Sequence, residues 1–306
     1  MNRLLFYVFV IILFLGLGCD KKEIPNFKKG DIVWIQGSDY FSSFIDGDFG
    51  DIFCYSLERG EVIRMNDDEY YDALPIVLSD SIIVFESERH STLGNGDLTG
   101  QSSIYYINNA HNKNNNISEL FSGFRFYKNT FANPVYIGTN TFAFSNWNLS
   151  EGTTVLKYEL NSNKFDTILT TEQSIFSIQY NDIDSLFIVS FMKRFDMMHI
   201  VIKDKIIDTL VTKNTEKLCW VDTEFNYYYI QPNQIRISER TNQTIQKVLY
   251  RTDNKIHNLR FYSSNIFYYT SKSDDKYYVY QVNLAESKEE LIFQNDENFV
   301  NMFIVK

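Results

Sequence analysis

Residues 153–169 read TTVLKYELNSNKFDTIL: a run rich in β-branched and aromatic side chains, a polar turn at Asn161-Ser162-Asn163, then a shorter run ending in a large aliphatic residue. Such composition favours two half-buried strands joined as a hairpin. The arrangement recurs at 51–65, 102–120, 198–210, 233–249 and 276–292. The aliphatic residues that end the six hairpins are Met65, Leu120, Leu169, Leu210, Leu249 and Ile292, and their mean spacing of about 45 residues is close to that of propeller blades. Between successive hairpins lie two further strand-like runs, such as ANPVYIG (132–138) and TNTFAFSNW (139–147), or SIFSIQY (174–180) and DSLFIVSF (184–191). Four strands per repeat in six repeats predict an all-β fold, a six-bladed β-propeller of four-stranded antiparallel blades over 31–306. No window carries a sustained 3.6-residue apolar period flanked by caps, so helices should be rare.

The two ends of this region explain how the ring would close. The first repeat offers three strands, DIVWIQG, DIFCYSL and EVIRM, whereas the last hairpin is followed by a spare one in NFVNMFIVK. Placed innermost in the first blade, that C-terminal strand completes it. A sandwich or single barrel suits runs such as FNYYYI and IFYYT less well, because one-sided sheets demand strict alternation while stacked blades bury both faces of their middle strands.

Residues 71–89 read YDALPIVLSDSIIVFESER. This stretch resembles the repeat of TolB-like six-bladed propellers, in which a Pro before a short strand, a Ser-Pro-Asp-Gly turn, an Ile-Ala-Phe strand and a Ser-x-Arg ending recur. Pro75, Ser79, Asp80, Ile83, Phe85, Ser87 and Arg89 would occupy those places, and Pro134 to Gly138 with Phe142 to Ser145 keep a fainter copy. The Pro and Gly of the turn are missing here, and later repeats lose most of the pattern. The resemblance implies the same fold and, more weakly, a protein partner in a bacterial envelope, since one fold hosts many tasks.

Composition agrees with a β-rich chain that packs aromatics. There are 3 Trp, 21 Tyr and 26 Phe but only 13 Gly and 4 Pro in 306 residues, which excludes collagen-like and Pro-rich disordered classes. The turns must then be made by Asn, Asp and Ser. A formal charge of −10 argues against nucleic acid, whose binders need a basic stripe to displace phosphate counterions.

The chain opens MNRLLFYVFVIILFLGLGCDKKE. As a helix, the apolar run from Leu4 to Leu17 would reach roughly 21 Å, short of a ~30 Å hydrocarbon core, so it reads as a signal peptide. Gly16-Leu17-Gly18-Cys19 resembles a bacterial lipobox, although Gly16 stands where Leu is preferred. The resemblance implies cleavage before Cys19, acylation of that cysteine and a lipid anchor in a membrane. The resulting division is 1–18 signal peptide, 19–30 lipidated polar tether and 31–306 propeller. The outer membrane is the preferred destination, although Asp20 is read differently by different bacterial sorting systems. The remaining thiols, Cys54 and Cys219, lie in apolar strands and read as buried small hydrophobes.

Candidate binding residues fall on one face, where loops between blades meet loops joining the second and third strands of each blade. That face gathers 38–50, 88–102, 146–152 and 192–196. Asp46 and Asp48 in DGDFGD, with Asp97 of GNGDLTG, offer hard oxygens that could take Ca²⁺, against a simpler reading as solvated turns. Lys193 and Arg194 form a basic cluster suited to an acidic partner. Trp147 reads first as core and second as a stacking group. No Gly-x-Ser-x-Gly elbow is present, and His90, His111, His199 and His257 fall in different repeats. A non-catalytic, membrane-anchored binding propeller is therefore expected, with an envelope protein or peptide as partner and no required cofactor. The alternatives are a propeller enzyme acting on glycans and a purely structural envelope lipoprotein.

Overall fold

The computed structural model describes residues 26–37, 50–66, 70–87, 102–108, 117–121, 129–148, 152–193, 196–213, 217–222, 224, 226–239, 246–274, 276–297 and 299–306. Cys19, Asp46, Asp48, Asp97 and Arg194 lie outside the described residues, as do 1–18, expected as a signal peptide, and most of 19–30, expected as a tether.

The described residues form six antiparallel sheets of four strands. In the first, β1 (Ile32–Gln36), β2 (Asp51–Ser56) and β3 (Glu61–Arg64) are joined by β24 (Val300–Ile304) in the order β24-β1-β2-β3. The second contains β4 (Asp72–Val77), β5 (Ile82–Ser87), β6 (Ser103–Asn108) and β7 (Ile117–Glu119), and the third β8 (Asn129–Gly138), β9 (Thr141–Asn148), β10 (Gly152–Glu159) and β11 (Lys164–Thr171). The fourth takes β12 (Ile175–Asn181), β13 (Leu186–Lys193), β14 (Asp196–Ile202) and β15 (Ile206–Lys213). The fifth takes β16 (Lys217–Val221), β17 (Asn226–Gln231), β18 (Gln234–Glu239) and β19 (Gln246–Arg251), and the sixth β20 (Leu259–Phe261), β21 (Ile266–Ser273), β22 (Lys276–Asn283) and β23 (Lys288–Asn295). The first strands of sheets two to six and β24 neighbour one another in a closed ring. This is a six-bladed β-propeller, closed as expected by the C-terminal strand, with Ile304 opposite Ile32 and Phe303 opposite Val33.

Six apolar clusters hold the ring together, one at each junction between consecutive blades. Phe85, Tyr105 and Val77 of blade two pack on Val33, Ile52 and Met65 of blade one. Trp34 and Met302 of blade one meet Tyr268 and Phe293 of blade six. Burying a Phe or Ile side chain is worth about 1.5–3 kcal/mol, so each interface depends on both blades being present. The scarcity of Gly in turns is met as expected: Asn140, Asn163, Ser185, Asp274 and Ser287 all take positive φ, and Asn and Asp bear that conformation better than other side-chain-bearing residues.

We call the rim where innermost strands begin the upper face and the rim where they end the lower face. The incoming chain docks on the lower one. Phe27 is buried and its N–H donates to the Asp80 carbonyl at 2.7 Å, while Gly30 N–H reaches Val305 O at 2.9 Å.

Candidate functional site

All six innermost strands line one central cavity of about 480 Å³, within the range of small-molecule and peptide-end sites. Those strands are not regular. The pairing register shifts at Ala73/Ile76, Ala132/Val135, Ile175/Ser177 and Leu218/Trp220, and at Val33/Ile35 on the partner of β24. Leu74, Asn133 and Asn301 take positive φ at three of these bulges. A bulge bends its strand and re-aims side chains, which here turns alternate residues into the lumen.

Neighbouring innermost strands do not pair with each other, so their facing carbonyls need other donors. Side chains supply them. Gln179 Nε2 donates to Leu218 O at 3.3 Å and Asn181 Nδ2 to Val221 O at 2.7 Å, tying blade four to blade five. Asn258 Nδ2 reaches Phe299 O at 3.4 Å and Arg260 Nε reaches Met302 O at 2.9 Å, tying blade six to blade one. The Asn133 bulge is held by Glu86, whose carboxylate accepts the Asn133 N–H at 2.8 Å; burial raises the pKa of Glu86 and this bond partly offsets the rise.

The two mouths differ. At the lower one, Lys306 Nζ lies 3.1 Å from the Asp182 carboxylate and donates to Tyr262 O at 2.8 Å. Burial lowers the Lys306 pKa and the Asp182 charge opposes that. Lys306 follows β24 of blade one and Asp182 follows β12 of blade four, so the pair spans the ring between opposite blades. Tyr136 of blade three and Phe303 of blade one add an edge-to-face contact at 5.7 Å, which also bypasses the blade between them. The upper face instead presents apolar side chains: Phe176, which lines the cavity, and Met192, near the end of β13, are each 59 % exposed.

Trp147, expected first as core, is 39 % exposed near the upper end of β9. Gly152 opposes its neighbour Asn148 across the hairpin, and a Cβ there would lie 2.5 Å from Thr171 O. Lys193 ends β13 on the same face, in the next blade. Trp147 and Lys193 are thus brought to adjacent blades, while the remaining candidates fall outside the described residues. The lumenal residues Arg260, Lys306 and Asp182 were not legible beforehand. Their one signal is a charged residue inside an apolar run, as in Leu259-Arg260-Phe261, where burial alternates around an open arginine. Cys54 and Cys219 are free thiols, as expected, and burial pushes both well above the ordinary range.

Among the described residues no group of three His, Cys, Asp or Glu side chains could hold a metal ion, and no helix is long and apolar enough to cross a membrane.

No family model matches the sequence, and no curated protein matches it. Solved structures do. A chain of the nidogen/laminin complex is similar with TM-score 0.55 at 10% identity, over 89% of this chain and 97% of that one. TolB from Acinetobacter baumannii gives 0.55 at 10% identity over 89% of this chain. A prolyl endopeptidase gives 0.54 at 9% identity over 92%. This chain spans 66% of that TolB chain and 50% of the endopeptidase. At such identities the likeness concerns the fold, and it includes the propeller that the repeat at 71–89 resembles.

Proposed function

We propose that this chain is an envelope lipoprotein, anchored through Cys19, whose propeller binds a protein or peptide partner without transforming it. The observation that carries the reading is the asymmetry of the ring: a lumen strapped at its lower mouth by Lys306 and Asp182, and an upper face that exposes Phe176 at the cavity and Met192 and Trp147 near the ends of β13 and β9. The docked segment at Phe27 and Gly30 lies on the strapped side. An anchor at Cys19 is eight residues from Phe27, a reach of about 28 Å when extended, so the lower face is the one held toward the membrane and the apolar rim points away from it. The likenesses to TolB and to a chain of the nidogen/laminin complex support this use of the fold, the second chain having been solved within a protein complex.

The test is photo-crosslinking in cells from probes placed at Phe176 and at Trp147, with a probe at Asp204 on the lower face as comparison. A discrete adduct from the upper probes, weakened when Lys193 and Arg194 are both changed to Glu, supports the reading. Equal labelling from both faces overturns it. Cys19→Ala should release the protein from membranes, and retention of that variant without lipid labelling of the unaltered chain would remove the anchor.

A further inference from the structure

The lumen contains a cation without a described counter-charge. Arg260 stands at the centre of β20, open to the cavity yet surrounded by protein on all sides of it. Its Nε and Nη1 donate to the carbonyls of Met302 and Leu259 at 2.9 and 3.2 Å, which fixes the plane of the guanidinium. Of its five N–H groups, the rest have no hydrogen-bond partner among the described residues, and no described carboxylate forms an ion pair with it. Cys219 lies close enough to interact electrostatically, but burial keeps it a neutral thiol and it supplies no negative charge. The other lumenal cation, Lys306, is already matched by Asp182. In a chain of net charge −10, the described lining of the cavity therefore carries an excess positive charge.

We infer that the lumen binds a carboxylate seated on Arg260, on a ligand whose apolar part lies against Trp220, Ile178 and Phe176. A planar guanidinium already fixed by two carbonyls presents parallel N–H groups to a planar, singly charged acceptor, the geometry that makes Arg–carboxylate bonds strong. A phosphate dianion would call for a second free cation, and Lys306 is engaged. The ligand enters from the upper mouth, because the lower one is bridged. The inference rests on the reading of the propeller as a non-catalytic binder, and it leaves two sources of the group, a peptide C-terminus and a small organic acid.

The test uses the full chain in mild detergent and isothermal titration with three probes: the tripeptide Ala-Leu-Phe, its C-terminal amide and hexanoate. The tripeptide acid, hexanoate or both should bind, the amide at least tenfold more weakly than the acid. Arg260→Gln should weaken the acids at least tenfold and leave the amide unchanged. If that variant does not fold, the acid–amide comparison on the unaltered chain decides alone. Binding of the tripeptide without hexanoate identifies a peptide terminus as the source, and equal binding identifies a small acid. Equal affinity for acid and amide, no binding of either acid at millimolar concentration, or inorganic phosphate binding as tightly as the acids would each overturn the carboxylate site. Recovery of a shortened tripeptide by mass spectrometry would instead overturn the non-catalytic reading while leaving Arg260 as the anchor. Upper-face adducts that persist in Arg260→Gln would separate the partner surface from the lumen.

Discussion

At the scale of single residues, the buried polar group with the clearest consequence is His199 of β14 in blade four, one of the residues lining the cavity. It is 4 % exposed, and its ring nitrogens meet Ser190 Oγ at 2.8 Å and Thr212 Oγ1 at 2.9 Å. One hydroxyl donates to the ring and one accepts from it, so the pair of bonds suits the neutral imidazole. Burial lowers its pKa from 6.5 to about 4. The unfolded chain therefore binds the proton that the folded chain refuses between those values. Stability should be full above about pH 6.5 and fall as pH drops toward 4, by about 3 kcal/mol from this residue. Denaturant titrations across that window should show the slope, and His199→Gln should flatten it; an unchanged slope would exclude the histidine as its source. The sequence placed His199 in a strand but gave no sign of the triad, because Ser190 and Thr212 lie nine and thirteen residues away and meet it only through the pairing of three strands.

At the scale of elements, the hairpins that decided the fold are also where residue choice is clearest. Asn140 joins β8 to β9 at φ 57°, and its N–H and carbonyl bond to Leu78 and Leu160. Among the described residues its side chain makes no such bond, so Asn140→Gly should hold stability or raise it slightly, whereas Asn140→Val should cost about 1–3 kcal/mol through forced left-handed backbone. Thermal melts of the pair check this, and equal melting temperatures would show that the turn adapts to any residue. The outer hairpins were readable because β10 and β11, or β22 and β23, are eight residues long with clear composition. The innermost strands were harder. β20 has three residues, too few to show alternation, and bulges in β4, β8, β12 and β16 break the period-two pattern at the positions that line the cavity. The same irregularity that builds the site hides it from a periodicity reading.

At the scale of the whole molecule, stability resides in interfaces that close in a circle. Met302 and Ile304 of β24 are 1 % and 3 % exposed and complete the junction between blades six and one. Removing residues 299–306 should therefore abolish a single cooperative transition and leave β1 with an unpaired edge, visible as early proteolysis near residue 32; a truncated chain that melts as sharply as the full one would show the ring to be held elsewhere. The spare strand was legible in the sequence, since the count of runs in the first repeat came up one short. The pairing of Ile32 with Ile304 has a further consequence in time. During synthesis β1 waits for residues 300–304 before its edge is covered, and contacts so distant along the chain form slowly. For that interval the newborn protein is an open, sticky arc rather than a ring, so its yield should depend on whatever shields such edges before the ring closes.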